Sequence, residues 1–302
     1  MSELGRRILA GDVRALARAA TMVENGQPAA RELLTELFPH AGRALTIGIT
    51  GAPGTGKSTL VDGLTQTIRA EGRTVGVVAV DPTSPFSGGA ILGDRIRMLR
   101  HHDDPGVFIR STATRGWLGG LARTTMDLTL LLDAAGRDVV LVETVGVGQD
   151  EVEIVRLADV TVVVLVPGMG DGVQALKAGI MEIADVFAIN KADLAGAEKL
   201  ERELKAAMSL AHGRDGWTPP VVQAVASEGR GIAETLSAAR AYAASGLANN
   251  RKAESWSVRL REMLRERLLE RVPGEEIALA AADVADGRRD PYSIIDDWIK
   301  RF

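Results

Sequence analysis

Cysteine is absent from all 302 residues. Disulfides, thiolate metal sites and cysteine nucleophiles are therefore excluded. Histidine is scarce, with four in the chain. His101 and His102 are adjacent, so they cannot share one helix face as a chelating pair, and they read as a solvated helix end. Neither sign of charge dominates: the formal net charge is -4 and the isoelectric point is near 5.7. That balance leaves no electrostatic footprint for nucleic acid. Apolar stretches such as "VTVVVLV" fall far short of the ~20 residues that span a bilayer. The amino-terminal "MSELGRRILAGDVRAL" lacks the unbroken apolar centre of a signal peptide. The expectation is a soluble, cytoplasmic protein with no membrane or nucleic-acid partner.

What is present is an ordinary globular composition, 46% hydrophobic and 25% charged. A chain of this size buries a sizeable core and needs no long disordered region. Leu4, Ile8, Leu9, Val13 and Leu16 recur at helical spacing, and "ENGQPAARELLTELF" restarts a helix after Gly26 and Pro28, giving a helical extension over residues 1–42. From "ALTIGIT" onward the pattern changes. Short apolar runs ("TVGVVAV", "GVFIR", "DVVLVE", "VTVVVLV", "VFAIN", "VVQAV") alternate with amphipathic helices. Runs that are apolar on both faces belong to a parallel sheet covered on both sides, so residues 43–246 are expected to form a doubly wound, mostly parallel α/β domain. The polar segment "SGLANNRKAES" separates it from a helical piece over residues 247–302. There Trp256, Leu260, Leu264 and Leu268 share one face, and a last helix capped by Asp290 carries Ile294, Ile295, Trp298 and Ile299. These stripes either pack back on the same chain or meet a second copy.

After the first strand comes "GAPGTGKST". Gly51, Ala52, Pro53, Gly54, Thr55, Gly56, Lys57, Ser58 and Thr59 fit the phosphate-binding loop, in which glycines let successive backbone N–H groups point inward at a helix amino terminus. Lys57 would bridge the β- and γ-phosphates and the Ser58 hydroxyl would ligate Mg²⁺. "NKAD" follows the strand "VFAIN". Asp193 can accept hydrogen bonds from the N1 and N2 protons of guanine, whereas adenine would set an acceptor against it; Asn190 can reach the base edge and the Lys191 stem can lie along its plane. Order along the chain selects GTP and GDP over adenine nucleotides. The later "VASEGRG" would cover the base through the backbone at Ala226 and Ser227.

"VVLVETVGVGQDE" ends a buried strand on a carboxylate, Glu143, which needs a partner because an unpaired buried charge costs several kcal/mol. Its place is that of the acidic residue that completes a magnesium site, and Gly146 stands where a backbone N–H would sense the γ-phosphate. Asp81, ending "VVAV", and Asp94 in "GGAILGDRIRM" are further candidate metal residues. The loop between them is the candidate first switch.

Together, "GITGAPGTGKSTL", "VDPTSPFSGGAILGDRIRM", "RSTATRGWLGGLA", "ETVGVGQDE", "VPGMGDGVQALKAGIMEIADV", "NKADL" and "DPYSIIDDW" resemble the methylmalonyl-CoA mutase-associated GTPases, the MeaB/ArgK family. The resemblance implies a GTPase chaperone that gates adenosylcobalamin delivery to an adenosylcobalamin-dependent acyl-CoA mutase and protects or rescues that enzyme. It also implies a homodimer formed through the carboxy-terminal helices, and a third mobile loop, matched by "PGMGDGVQALKAG", on which the partner acts. Gln174 or Lys177 of that loop would then swing in as a catalytic group alongside Lys57 and Glu143. Val147 stands where small GTPases commonly have a water-positioning glutamine, so slow intrinsic hydrolysis and stimulation by the mutase are expected. Two rivals share parts of this pattern. A small-molecule kinase would need an acceptor pocket with a general base and would not need "NKAD"; a metal-insertion GTPase has little here to carry a metal.

Overall fold

The computed structural model describes residues 1–81, 99–101, 103–113, 120–144, 150–168, 180–210 and 216–301. It divides into two compact units, Met1–Arg251 and Lys252–Phe302.

In the first unit, the apolar runs form a seven-stranded sheet in the order β3-β2-β4-β1-β5-β6-β7 among the described residues. The strands are β1 (Leu45–Thr50), β2 (Val75–Asp81), β3 (Val107–Ala113), β4 (Val139–Glu143), β5 (Val160–Leu165), β6 (Val186–Ile189) and β7 (Val221–Gln223). Every pairing is parallel. Successive side chains of a strand point to opposite faces, which explains why these runs are continuously apolar rather than alternating. Val139 and Leu141 join the core under α4 (Lys57–Ala70), whereas Val140 and Val142 join the core on the opposite face. The chain runs outward from β1 through β2 to β3, returns to insert β4 beside β1, and then builds β5 to β7 on the far side. A reversal of this kind leaves a crevice at the carboxyl ends of the strands, the usual ligand position in open α/β sheets.

The amino-terminal segment forms α1 (Glu3–Leu9), α2 (Val13–Glu24) and α3 (Pro28–Leu37). Asp12 caps α2 by accepting from the Arg14 and Ala15 N–H groups at 2.9 and 3.0 Å. These helices pack on α5 (Gly120–Ala134), with Leu16, Ala19, Leu33 and Leu37 facing Leu128, Leu131 and Leu132. Polar ties reinforce that contact. Asp133 of α5 accepts backbone N–H groups of Gly42, Arg43 and Ala44, and Arg110 of β3 pairs with Glu24 of α2.

The remaining helices of this unit are α6 (Asp150–Leu157), α7 (Ile180–Ile183), α8 (Ala197–Leu210) and α9 (Ile232–Ala244). The boundary between the two units falls within the polar segment 245–255, which is helical from Leu247 onward as the start of α10 (Leu247–Leu269). Its Arg251 is buried, donating to the Asp185 carboxylate at 2.6 Å and to the Asp159 carbonyl at 3.1 Å, and its guanidinium lies 4.9 Å over the Tyr242 ring. Burial pushes the Asp185 carboxyl above its ordinary range, although Arg251 and the Thr161 N–H pull the other way.

In the second unit, α11 (Gly274–Ala285) and α12 (Pro291–Ile299) follow α10. Asp290 caps α12 through the Ser293 N–H at 2.9 Å, and Glu276 accepts from both Trp298 and Arg301. Ile294 is buried, but Leu260, Leu264, Leu279, Tyr292, Ile295 and Ile299 are exposed in the single chain. Among the described residues no helix is long and apolar enough to cross a membrane.

Candidate functional site

The loop from Gly51 to Gly56 joins β1 to α4 and needs glycine twice for reasons that differ. Gly51 has φ 143° and a Cβ there would sit 2.3 Å from the Val164 carbonyl oxygen. Gly56 has φ 88°, caps α4 in the left-handed region, and a Cβ would lie 2.4 Å from the Asn190 amide nitrogen. Any side chain at either position would displace the loop. Lys57 and Ser58 then open α4, where the N–H groups of the first turn have no intrahelical acceptor. The Lys57 ammonium spans the loop and donates to the carbonyls of Gly51 at 2.8 Å and Ala52 at 3.2 Å. Thr55 closes the turn by donating to the Ala52 carbonyl at 2.9 Å. Ala52, Pro53, Gly54 and Thr59 are solvated to differing degrees along the same stretch.

Glu143, the carboxylate at the end of β4, is buried and accepts the Ser58 hydroxyl at 2.6 Å. Sheet order makes this contact possible, because β4 lies directly beside β1, whose loop delivers Ser58. Asp81 ends β2, with its backbone in register with Ala113 of β3, at the same edge of the sheet. Asp94, Gly146, Gln174 and Lys177 lie outside the described residues.

Asn190, Lys191 and Asp193 follow β6. Lys191 takes the only left-handed backbone among described non-glycine residues, φ 55°, and its ammonium donates to the Gly54 carbonyl at 2.9 Å. The Asn190 side chain is buried between two loops: the amide nitrogen donates to the Thr55 carbonyl at 2.8 Å, and the oxygen accepts from the Ala226 N–H at 3.0 Å. One side chain thereby ties the glycine loop to the turn after β7. Asp193 and Ser227 are exposed beside it. Nothing in the sequence marks this bridge, because its partners lie far from Asn190 along the chain.

His101 departs from expectation. It is buried, not solvated, with Nε2 2.8 Å from Asp62 of α4, and Arg100 reaches the second carboxylate oxygen at 2.9 Å. Adjacency to another histidine was a poor guide, since the burying partner lies on a distant helix.

These loops give the site its chemical capacity. A glycine loop at a helix amino terminus suits polyanionic phosphate, and a buried hydroxyl beside a carboxylate is a hard-oxygen pair suited to a divalent cation. An exposed carboxylate on a braced loop suits a base that presents adjacent donors.

The sequence model described as methylmalonyl Co-A mutase-associated GTPase MeaB matches residues 16–276. The chain is 57% identical over 237 residues to a GTPase-type protein of Pyrococcus abyssi, covering 78% of this chain and 73% of that one. It is 33% identical over 322 residues to the mouse methylmalonic aciduria type A homolog, a mitochondrial protein, covering 98% and 78% of the two. A crystal structure of a LAO/AO transport system kinase superposes with a TM-score of 0.73 at 30% identity, covering 99% of this chain and 96% of that one.

Proposed function

The chain belongs to the methylmalonyl Co-A mutase-associated GTPase family, and from that membership we propose that its GTP hydrolysis serves a B12-dependent acyl-CoA mutase. In this reading the protein gates delivery of adenosylcobalamin to the mutase and protects or reactivates it. The observation that carries the nucleotide part is the convergence at one sheet edge. Ser58 meets Glu143 at 2.6 Å, and Asn190 joins the Thr55 carbonyl to the Ala226 N–H. Phosphate loop, acidic strand end and base loop thus form one connected unit. The names of the family and of the mouse relative support the mutase as client.

Residues Gly51–Thr59 cradle the phosphates, and Lys57 exchanges its two carbonyl partners for the more strongly accepting phosphate oxygens. Asp193 reads guanine, with the backbone at Ala226 and Ser227 beside the base. Magnesium fits the buried oxygen pair of Ser58 and Glu143, with Asp81 and Asp94 as further carboxylates; when bound, it neutralises charge on the β- and γ-phosphates. Gly146 senses the γ-phosphate through its N–H. Gln174 and Lys177 are held for the complex with the mutase, where one of them meets charge developing in the transition state.

The test compares GTP and ATP turnover with and without candidate mutases. GTP hydrolysis should be slow alone and rise at least tenfold with the client, by analogy with residues supplied only in complexes. Hydrolysis indifferent to every adenosylcobalamin-dependent mutase would remove the chaperone role, and transfer from ATP to a small acceptor would replace it with a kinase.

The second unit supplies the dimer in this reading. Leu264 is 61% exposed, Leu279 71% and Tyr292 81%. Large side chains exposed to this extent in so small a unit are covered at less cost by a second copy than by water. Sedimentation equilibrium should find a dimer at micromolar concentration, and Leu264→Glu with Leu260→Glu should weaken it more than tenfold. A wild-type monomer at that concentration would contradict this assignment.

A further inference from the structure

Beyond the glycine loop and the acidic strand end, the described site holds another buried polar contact. The hydroxyls of Thr50 and Thr144 lie 3.0 Å apart, with Thr144 donating. Both side chains are buried, Thr50 at 1% exposure and Thr144 at 4%. Thr50 is the last residue of β1, immediately before Gly51, and Thr144 immediately follows Glu143. Ile49 and Glu143 are opposite one another in the β1–β4 register. The Thr144 N–H carries that ladder one step further, donating to the Ile49 carbonyl at 3.0 Å.

Packing alone does not call for hydroxyls here. Valine has nearly the same shape, and replacing both partners of a buried hydrogen bond with apolar groups of that shape is close to neutral for stability. A buried hydroxyl, by contrast, is costly unless it is bonded. Two threonines that satisfy each other therefore contribute geometry more than stability. The backbone bond from Thr144 to Ile49 fixes one point at the tip of β4, and the hydroxyl bond fixes a second. With both in place the peptide after Glu143 cannot rotate about the strand axis, and the carboxylate stays where Ser58 reaches it at 2.6 Å.

We propose that Thr50 and Thr144 are positioning residues that hold Glu143 against Ser58 in the arrangement that accepts a divalent cation. This rests on the magnesium and guanine-nucleotide reading above. Neither threonine touches the reacting atoms in this account; both act through Glu143.

The experiment uses the full chain and a fluorescent GDP analogue, with nucleotide release followed as magnesium is titrated. Thr144→Val should raise the half-saturating magnesium concentration about five- to tenfold, the scale of one lost hydrogen bond. Affinity for the nucleotide in excess chelator should stay within twofold of wild type. Thr144→Ser, which keeps the hydroxyl, should restore the wild-type magnesium requirement. Thr50→Val should match Thr144→Val, and the double valine variant should be no worse than either single, because both remove the same bond. If Thr144→Val alone folds poorly, the double variant, which leaves no orphaned hydroxyl, carries the comparison. Additive single effects, failure of serine to rescue, or equal loss of chelator-state affinity would overturn the proposal. So would an unchanged magnesium requirement in the valine variants of a magnesium-dependent wild type. A wild type whose nucleotide release ignores magnesium would overturn this proposal and the reading beneath it together.

Discussion

Asp193→Asn is expected to lower affinity for GDP by about 10²- to 10⁴-fold, the scale on which a site built for one hydrogen-bond pattern rejects another. Guanine offers adjacent N1–H and N2–H donors, and a carboxylate accepts both. Asparagine keeps one acceptor but turns an NH₂ group toward the N2 amine, setting donor against donor. Xanthine carries an oxygen where guanine carries that amine, so the variant should gain affinity for XDP as it loses GDP. The bracing of the loop makes this a test of one side chain. Lys191 holds the Gly54 carbonyl and Asn190 holds the Thr55 carbonyl, and neither contact involves Asp193. A variant that keeps GDP affinity within threefold of wild type would show that Asp193 does not read the base.

The largest expected effect on stability lies at the opposite end of β6. Arg251→Ala should destabilise the fold by roughly 3–5 kcal/mol, the cost of leaving a buried charge without its partner. Asp185 is 3% exposed and precedes β6, and Arg251 donates to its Oδ2 at 2.6 Å. Burial already pushes the Asp185 carboxyl above its ordinary range, so folding works against its ionisation. A raised carboxyl withdraws no stability below its unfolded pKa and progressively more as pH climbs through its folded pKa. Loss of Arg251 raises that carboxyl further. The deficit of the variant should therefore be greatest at neutral pH and shrink as the pH falls toward about 4. Urea unfolding at both ends of that range measures it, and Asp185→Leu combined with Arg251→Met should recover most of the loss. A deficit independent of pH would assign the effect to lost packing over Tyr242 rather than to charge.

The strands were legible because parallel strands buried on both faces read as continuous apolar runs, and "DVVLVE" or "VTVVVLV" has no other economical placement in a chain of this composition. Their order was not. That β4 inserts between β1 and β2 follows from crossovers that periodicity does not encode, and it is this insertion that sets Glu143 beside Ser58. In the site, the placement of the glycine loop between strand and helix and of "NKAD" after a strand could be read from spacing, since each carries its own local geometry. Contacts that join constellations were invisible. The Asn190 bridge, the Thr50–Thr144 pair and the burial of His101 by Asp62 each depend on residues brought together only by the completed sheet. The burial of Arg251 within "SGLANNRKAES" was hidden for a related reason: the segment reads as uniformly polar, yet its one arginine is a buried ion-pair partner. Composition averages over a segment, whereas burial is decided residue by residue.

The central claim is that one cleft at the carboxyl ends of the strands holds a guanine nucleotide, selected at Asp193 and held at the glycine loop. Calorimetric titration of the wild-type chain with GDP and with ADP, at the same magnesium concentration, tests it most directly. GDP should bind at least a hundredfold more tightly, as a site that pairs a carboxylate with base donors requires. Equal affinity for the two nucleotides would contradict the account.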